Sequence, residues 1–169
     1  TAHPAADRPQ ECDTVGRLGI ASRRFLRTHH EMQVAAMKVL KSFFRIYLRK
    51  SELEASKRFY MTLQGAERPH HEFHYETYRL DIVAIGSVLL IAGDRADTER
   101  FEATKLTCLV DDLDAVRDYF VRIGVGIIDD IKTVPSGRNL RALNPDGTIV
   151  EYVQHSDDFK RRMSANAYD

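Results

Sequence analysis

The stretch KLTCLVDDLDAVRDYF, residues 105–120, has the pattern of a strand followed directly by a helix. Its first six residues place Leu106, Cys108 and Val110 on one parity, which is typical of a strand with one buried face. Two aspartates follow as candidate helix caps, and Gly124 lies where the helix is expected to end. The segment therefore predicts a strand–helix unit.

The same pattern occurs earlier in the chain as RIYLRKSELEASKRFY, residues 45–60. In this alignment Arg45 matches Lys105, and the helical pair Phe59–Tyr60 matches Tyr119–Phe120. Three strand-like runs follow each of the two helices. Internal repetition fixes the architecture before any single motif does. The order predicts an α+β fold of two tandem βαβββ modules.

The repeat divides the chain into four segments. Residues 1–36 form an N-terminal extension with two prolines and little apolar periodicity, which predicts an irregular arm and, further along, a helix. Residues 37–101 make up the first module and residues 102–156 the second. Residues 157–169 remain as a C-terminal tail with helical potential.

The composition narrows the class of protein. The 169 residues contain 25 Lys and Arg against 25 Asp and Glu, so no overall field favours nucleic acid or an anionic membrane. The longest apolar runs are about six to eight residues, whereas a membrane span needs roughly 20. Cys12 and Cys108 have neither disulfide-framework nor zinc spacing. We expect a cytoplasmic protein that binds neither nucleic acid nor membrane.

The segment LNPDGTIVEYV, residues 143–153, predicts a tight turn that leads into the last strand. Together with the two strand–helix units it resembles the vicinal oxygen chelate superfamily. That superfamily includes glyoxalase I, bleomycin-resistance proteins, extradiol dioxygenases, fosfomycin-resistance enzymes and methylmalonyl-CoA epimerase. The likeness spans roughly residues 40–155. It implies the glyoxalase/bleomycin-resistance fold, a cup-shaped mixed sheet, and a homodimer.

The resemblance also implies four metal-ligand positions, two in each module. Metal-bearing members place His or Gln on the first strand of a module and Glu on its last strand, around Ni, Zn, Mn or Fe. In this sequence the first-strand positions match Arg45 and Lys105, and the last strand of the first module offers Leu90 or Ile91. Only Glu151 keeps the ligand type. Cations repel a divalent ion, so we expect no metal cofactor, with an atypical divalent site as the alternative.

Strand parity predicts which side chains face the cup, since one parity packs under the helices. The predicted ligand-binding residues are Arg45, Tyr47, Lys105, Thr107, Arg141 and Glu151. Cations beside a tyrosine and apolar walls favour an anionic or aromatic small molecule.

Three histidines lie close together on one strand-like run, His70, His71 and His74. A surface cluster of this kind binds Zn²⁺ or Ni²⁺ adventitiously. The superfamily places no ligand on this strand, so we interpret the three as polar residues of an edge strand near the mouth of the cavity.

Three functional hypotheses follow. The first is a metal-free binding protein of the bleomycin-resistance type, which sequesters or carries a small molecule and takes part in antibiotic resistance. The second is a glyoxalase-like lyase, isomerase or dioxygenase, with atypical metal ligands or with Glu151 as general base. The third is a regulatory or structural dimer whose N-terminal arm binds another protein. The residues favour the first.

Overall fold

The computed structural model describes residues 37–165 of the chain. Eight strands form one sheet, with bounds β1 Val39–Leu48, β2 His71–Tyr75, β3 Leu80–Ile85, β4 Val88–Ala92, β5 Thr104–Val110, β6 Gly126–Val134, β7 Gly137–Leu143 and β8 Ile149–His155. Four helices accompany them, α1 Leu53–Leu63, α2 Arg95–Thr98, α3 Leu113–Ile123 and α4 Asp157–Ala165. The extension predicted at residues 1–36 lies outside the described residues.

The strand order in the sheet is β2-β3-β4-β1-β5-β8-β7-β6. Strands β1 and β4 are parallel, as are β5 and β8, and the remaining neighbours are antiparallel. The two halves therefore repeat one topology and meet where β1 pairs with β5. The predicted α+β fold of two βαβββ modules around a cup-shaped mixed sheet is confirmed.

The convex face of the sheet carries two hydrophobic cores, one under each long helix. Under α1, Val83, Ile85 and Leu90 are fully buried against Leu53. Under α3, Val110, Leu140 and Val150 are buried against Leu113 of the helix in the second half. Each such side chain contributes about 1.5–3 kcal/mol by leaving water, so these cores hold the curved sheet to its helices.

Helix α3 has the signals that the sequence predicts. The Asp112 carboxylate accepts a hydrogen bond from the main-chain N–H of Ala115 at 2.9 Å, which caps the first turn. The helix ends at Gly124, whose φ of 76° lies in the left-handed region that favours glycine. The local signals and the tertiary packing therefore agree.

The predicted turn before β8 is also present. The N–H of Gly147 donates to the carbonyl of Asn144 at 2.9 Å, and Gly147 has a φ of 82°. The Asp146 carboxylate accepts from the N–H of Thr148 at 2.9 Å. This turn sets the register of β8 and so places Glu151 on the concave face.

Within residues 37–165, no helix has the length and apolar character that crossing a membrane requires.

Candidate functional site

The concave face of the sheet surrounds a cavity of about 900 Å³, part of it open to solvent, which we call the cup. All eight strands contribute side chains to its wall. Both halves of the sheet therefore form the wall of the cup.

An ion pair joins Arg45 on β1 to Glu151 on β8 inside the cup. Arg45 Nη1 lies 3.2 Å from Glu151 Oε2, and the two side chains are 7% and 17% exposed. The hydroxyl of Thr107 donates to the same oxygen at 3.2 Å, and Asn139 Nδ2 donates to Oε1 at 2.7 Å. Both oxygens of the carboxylate are thus engaged by donors.

Arg141 on β7 is the second cation of the cup. Its Nε donates to the carboxylate of Asp129, and its Nη1 donates to the hydroxyl of Thr104 at 3.3 Å. Lys132 Nζ lies 3.8 Å from the same Asp129 carboxylate. A guanidinium has five N–H donors, so Arg141 has more donors than these two bonds use. Arg141 and Lys132 share one carboxylate between them.

Tyr47 supports the wall beside Arg45. Its hydroxyl is shared between the main-chain carbonyl oxygens of Phe101 and Thr104, the latter at 2.9 Å. The centre of the Arg45 guanidinium lies 5.5 Å from the centre of the Tyr47 ring. Burial raises the pKa of Tyr47 to about 12. The hydroxyl is therefore neutral and already bonded, and it ties β1 to the segment that joins the two halves.

The part of the cup formed by the first half of the sheet is apolar and aromatic. Phe43, Leu89 and Ile91 are buried there. Three further rings pack edge to face beside them, with 4.9 Å between Tyr75 and Tyr78 and 5.0 Å between Tyr78 and Phe101. The cup thus has an aromatic wall opposite its charged one.

The rings of two histidines pack edge to face at one end of the cup. The rings of His71 on β2 and His155 on β8 have centroids 5.8 Å apart, and both line the cavity. Burial lowers the pKa of each to about 4, so both rings are neutral at pH 7. Phe159 of α4 packs against both rings, with centroid distances of 5.5 and 4.6 Å. Strand β2 is an edge strand of the sheet, as predicted for these histidines, and the curvature of the sheet brings His71 close to His155 of β8.

The structure does not bring all six predicted site residues together. Arg45, Thr107, Arg141 and Glu151 line the cup. Strand parity also predicts that Tyr47 faces the cup, but it is not one of the lining residues and packs beside Arg45.

Lys105 lies outside the cup altogether, so its predicted place there is wrong. Its side chain is exposed, and its Nζ donates to the carbonyl of Glu102 at 2.6 Å. The cause is a register shift between Thr104 and Leu106, where β5 pairs with β8. This bulge reverses the parity at Lys105, so the hydroxyl of Thr104 bonds Arg141 inside the cup instead.

The donor set does not fit the divalent metal of the superfamily. Around Glu151 stand a guanidinium, a hydroxyl and a side-chain amide, and the positions on β4 are aliphatic. A guanidinium is not a metal ligand, because it has no lone pair to donate. Among the residues that the structure describes, no group of three or more His, Cys, Asp or Glu side chains is arranged to hold a metal ion.

Sequence reasoning missed Asn139, Asp129 and Lys132. Asn139 precedes Arg141 by two residues on β7, so strand parity alone places both on one face. Asp129 and Lys132 lie on β6, whose pairing with β7 shifts at two points, and parity gives no reliable face there.

Several solved structures resemble this chain. One is an uncharacterised protein from Methanosarcina mazei, 32% identical over 70% of this chain and 94% of that one, with a TM-score of 0.64. Another is methylmalonyl-CoA epimerase from Mycobacterium tuberculosis, 18% identical over 73% and 93% of the two chains, with a TM-score of 0.54. A second methylmalonyl-CoA epimerase is 15% identical over 68% and 95%, with a TM-score of 0.53. No protein-family profile and no curated protein matches the chain.

The fold and the cup define a protein of two βαβββ modules that carries its site on the concave face of one sheet. The chain is related to the Methanosarcina mazei protein at 32% identity, and it shares its fold with the two epimerases. The two epimerases share its fold at low sequence identity, so they do not indicate its activity.

Proposed function

We propose that the protein is a metal-free binding protein that holds a small aromatic acid in the cup, and thereby sequesters or carries it. The observation that supports this most is the division of the cup into an aromatic wall and a charged wall. A flat ring gains by leaving water against the first wall, while an acidic group reaches the donors of the second.

The charges of the cup favour a ligand with one negative charge. Arg45 and Glu151 balance each other. Arg141 and Lys132 carry two positive charges beside the single negative charge of Asp129. One positive charge is left over on this wall, and a carboxylate that binds Arg141 neutralises it.

Calorimetric titration with 2-naphthoate tests the proposal. We expect 1:1 binding with a Kd on the order of micromolar, and binding about tenfold weaker for 2-naphthylmethanol, which keeps the rings but lacks the charge. Native mass spectrometry of the purified protein is a second test that requires no added probe. An aromatic acid that remains bound through purification would identify the natural ligand. Equal affinity for the two probes, or no binding of either, would contradict the proposal.

A second candidate is an enzyme of the same superfamily that uses Glu151 as general base without a metal. The observation in its favour is that Glu151 Oε1 accepts only the bond from Asn139 among the described residues, while Oε2 accepts two. An oxygen with spare acceptor capacity at the cup can take a proton from a bound molecule. For this enzyme Glu151→Gln abolishes turnover and leaves binding of the substrate in place, whereas a pure binding protein shows no turnover to lose.

We also propose that the protein is a homodimer. Several large apolar side chains are exposed on the first half of the sheet and on α1, including Phe44 at 65%, Phe59 at 59% and Leu63 at 67%. Exposed apolar groups of this kind favour a protein interface. Light scattering coupled to gel filtration should give twice the mass of one chain, and a monomer at micromolar concentration would contradict it.

A further inference from the structure

The histidine end of the cup contains polar groups that the proposed aromatic acid does not yet use. Both His71 and His155 line the cavity, and their rings pack edge to face with 5.8 Å between centroids. Neither imidazole ring makes a hydrogen bond to another residue within the part of the chain that the structure describes. Two unbonded imidazoles inside a cavity therefore leave donor and acceptor groups for something that enters it.

The residues around these rings hold them in place through aromatic contacts and do not favour the charged form of either imidazole. Phe159 packs on both, and Phe73 and Phe43 contact His71 with centroid distances of 6.0 and 6.3 Å. Phe159 is only 2% exposed, so α4 fixes this end of the cup through one buried anchor. No carboxylate contacts either imidazole within the described residues. The two rings thus form a preorganised, aromatic-walled pair.

We propose that His71 and His155 form a neutral polar subsite that takes an uncharged hydroxyl or carbonyl group at the far end of the ligand. This inference rests on the proposed function, and it narrows the ligand class to aromatic acids that carry such a second group. A neutral imidazole has one N–H donor and one nitrogen acceptor. Two of them satisfy both the hydrogen and the oxygen of a hydroxyl, or donate to a carbonyl.

The geometry of β8 also indicates the length of the ligand. Arg141 pairs in register with Glu151, so the charged end of the cup lies at that level of the strand. His155 follows four residues later on β8, about 13 Å along it at roughly 3.3 Å per residue. A single ring is too short to engage both ends. The ligand must have at least two fused or linked rings between its acid group and its uncharged polar group.

A matched pair of probes isolates the subsite. 6-Hydroxy-2-naphthoate has the acid and the hydroxyl at opposite ends of two fused rings, while 2-naphthoate lacks only the hydroxyl. For the unaltered protein we expect calorimetry to give about fivefold tighter binding of the hydroxylated probe, the effect of one well-formed hydrogen bond.

Substitutions then assign the preference to the two residues. His71→Phe and His155→Phe keep a ring of similar size and remove the nitrogens, so the ratio of the two Kd values should fall towards one while 2-naphthoate still binds. His70→Phe is the matched control, because His70 is exposed and bonds Lys41, and it should leave the ratio unchanged. Thermal denaturation verifies that each variant is folded.

A measurement on the unaltered protein complements these variants. The ¹⁵N shifts of the His71 and His155 rings should move with 6-hydroxy-2-naphthoate and stay in place with 2-naphthoate, and this holds even where a variant fails to fold. Equal binding of both probes, or a preference that survives both substitutions, overturns the histidine subsite alone. Failure of both probes to bind overturns the proposed function together with it.

Discussion

The guanidinium of Arg45 and the carboxylate of Glu151 meet across strand β5, with Nη1 3.2 Å from Oε2. Glu151 occupies the position at which the resemblance to metal-bearing relatives implies a ligand, yet its nearest charged partner is a cation. The two charges neutralise each other where the superfamily would need several anionic or imidazole donors around one ion. This pair therefore governs both the stability of the cup and its chemistry.

Breaking this pair should be costly, because it leaves a charge without its partner in a place that water hardly reaches. Arg45 is only 7% exposed, so Glu151→Leu should lower the free energy of unfolding by about 3–5 kcal/mol, measured by urea denaturation. The double variant Arg45→Met with Glu151→Leu should recover most of that loss, since no charge is then left buried.

A second ion pair of the chain serves as the control for that experiment. Arg49 and Glu52 are 76% and 42% exposed, so Glu52→Leu should change the free energy of unfolding far less than Glu151→Leu does. Similar losses for Glu52→Leu and Glu151→Leu would show that the buried pair contributes no more to the free energy of unfolding than the exposed pair does.

Purified protein without an affinity tag should contain far less than one equivalent of Ni, Zn, Mn or Fe by elemental mass spectrometry. The physical reason is the donor set, in which Arg45 repels a divalent ion and Thr107 is a weak ligand at best. Incubation with each metal followed by dialysis should leave the content equally low. A full equivalent that survives dialysis, and that is lost in Glu151→Ala, would contradict the metal-free proposal.

Arg141 and Lys105 should respond differently to the same substitution, because only one of them lines the cup. Arg141→Met removes the donors proposed for the carboxylate and should weaken 2-naphthoate binding about tenfold. Lys105→Met alters an exposed side chain whose Nζ bonds a main-chain carbonyl, and should leave the Kd within about twofold. Calorimetric titration checks both. Equal losses would place Lys105 at the site after all.

Much of the fold could be predicted because several independent signals agree. The repeat of residues 45–60 in residues 105–120 establishes two modules, and the turn at 144–148 fixes the final strand. Where a strand pairs regularly, parity also predicts the site, as it does for Arg45, Thr107 and Glu151.

The errors arise where long-range geometry overrides the local pattern. The bulge between Thr104 and Leu106 depends on how β5 pairs with β8, which no residue of β5 specifies by itself. The sequence predicts the edge strand of His71 but not its contact with His155, which forms because the sheet curves until β2 meets β8. Phe159 completes that end from α4, which lies outside the repeated segments 45–60 and 105–120.

Tyr47→Phe should destabilise the protein by about 1–2 kcal/mol, because the carbonyls of Phe101 and Thr104 then lose their shared donor. The ionisation of the same hydroxyl also predicts how the stability of the protein changes at high pH. Its pKa is raised to about 12 in the folded protein, against about 10 in an unfolded chain. The neutral phenol is favoured by folding, so this contribution is complete below pH 10 and is lost as the pH rises towards 12.

Absorbance titration of the phenolates should therefore show at least one tyrosine that ionises near pH 12, and this step should vanish in Tyr47→Phe. Urea denaturation at pH 7 gives the change in stability. Tyr119→Phe, on α3, is a control of equal chemistry away from the cup. An unchanged late step in Tyr47→Phe would assign the high pKa to another tyrosine.

Acid should weaken the protein through His71 and His155. Their pKa values are about 4 in the folded state and about 6.5 when unfolded, so the unfolded chain binds more protons between these two values. The free energy of unfolding is therefore highest above pH 6.5 and falls as the pH drops towards 4. Because both rings are partly exposed, each should contribute less than about 1.4 kcal/mol per pH unit.

Urea denaturation at half-unit steps from pH 7 to 4 measures this slope, and the double variant His71→Phe with His155→Phe should flatten it above pH 5. Carboxylates that gain protons below pH 5 affect both proteins alike, so the difference between the two curves isolates the histidines. Identical slopes would mean that the pKa values of the two rings are the same in the folded and the unfolded chain, which would contradict the lowering by burial.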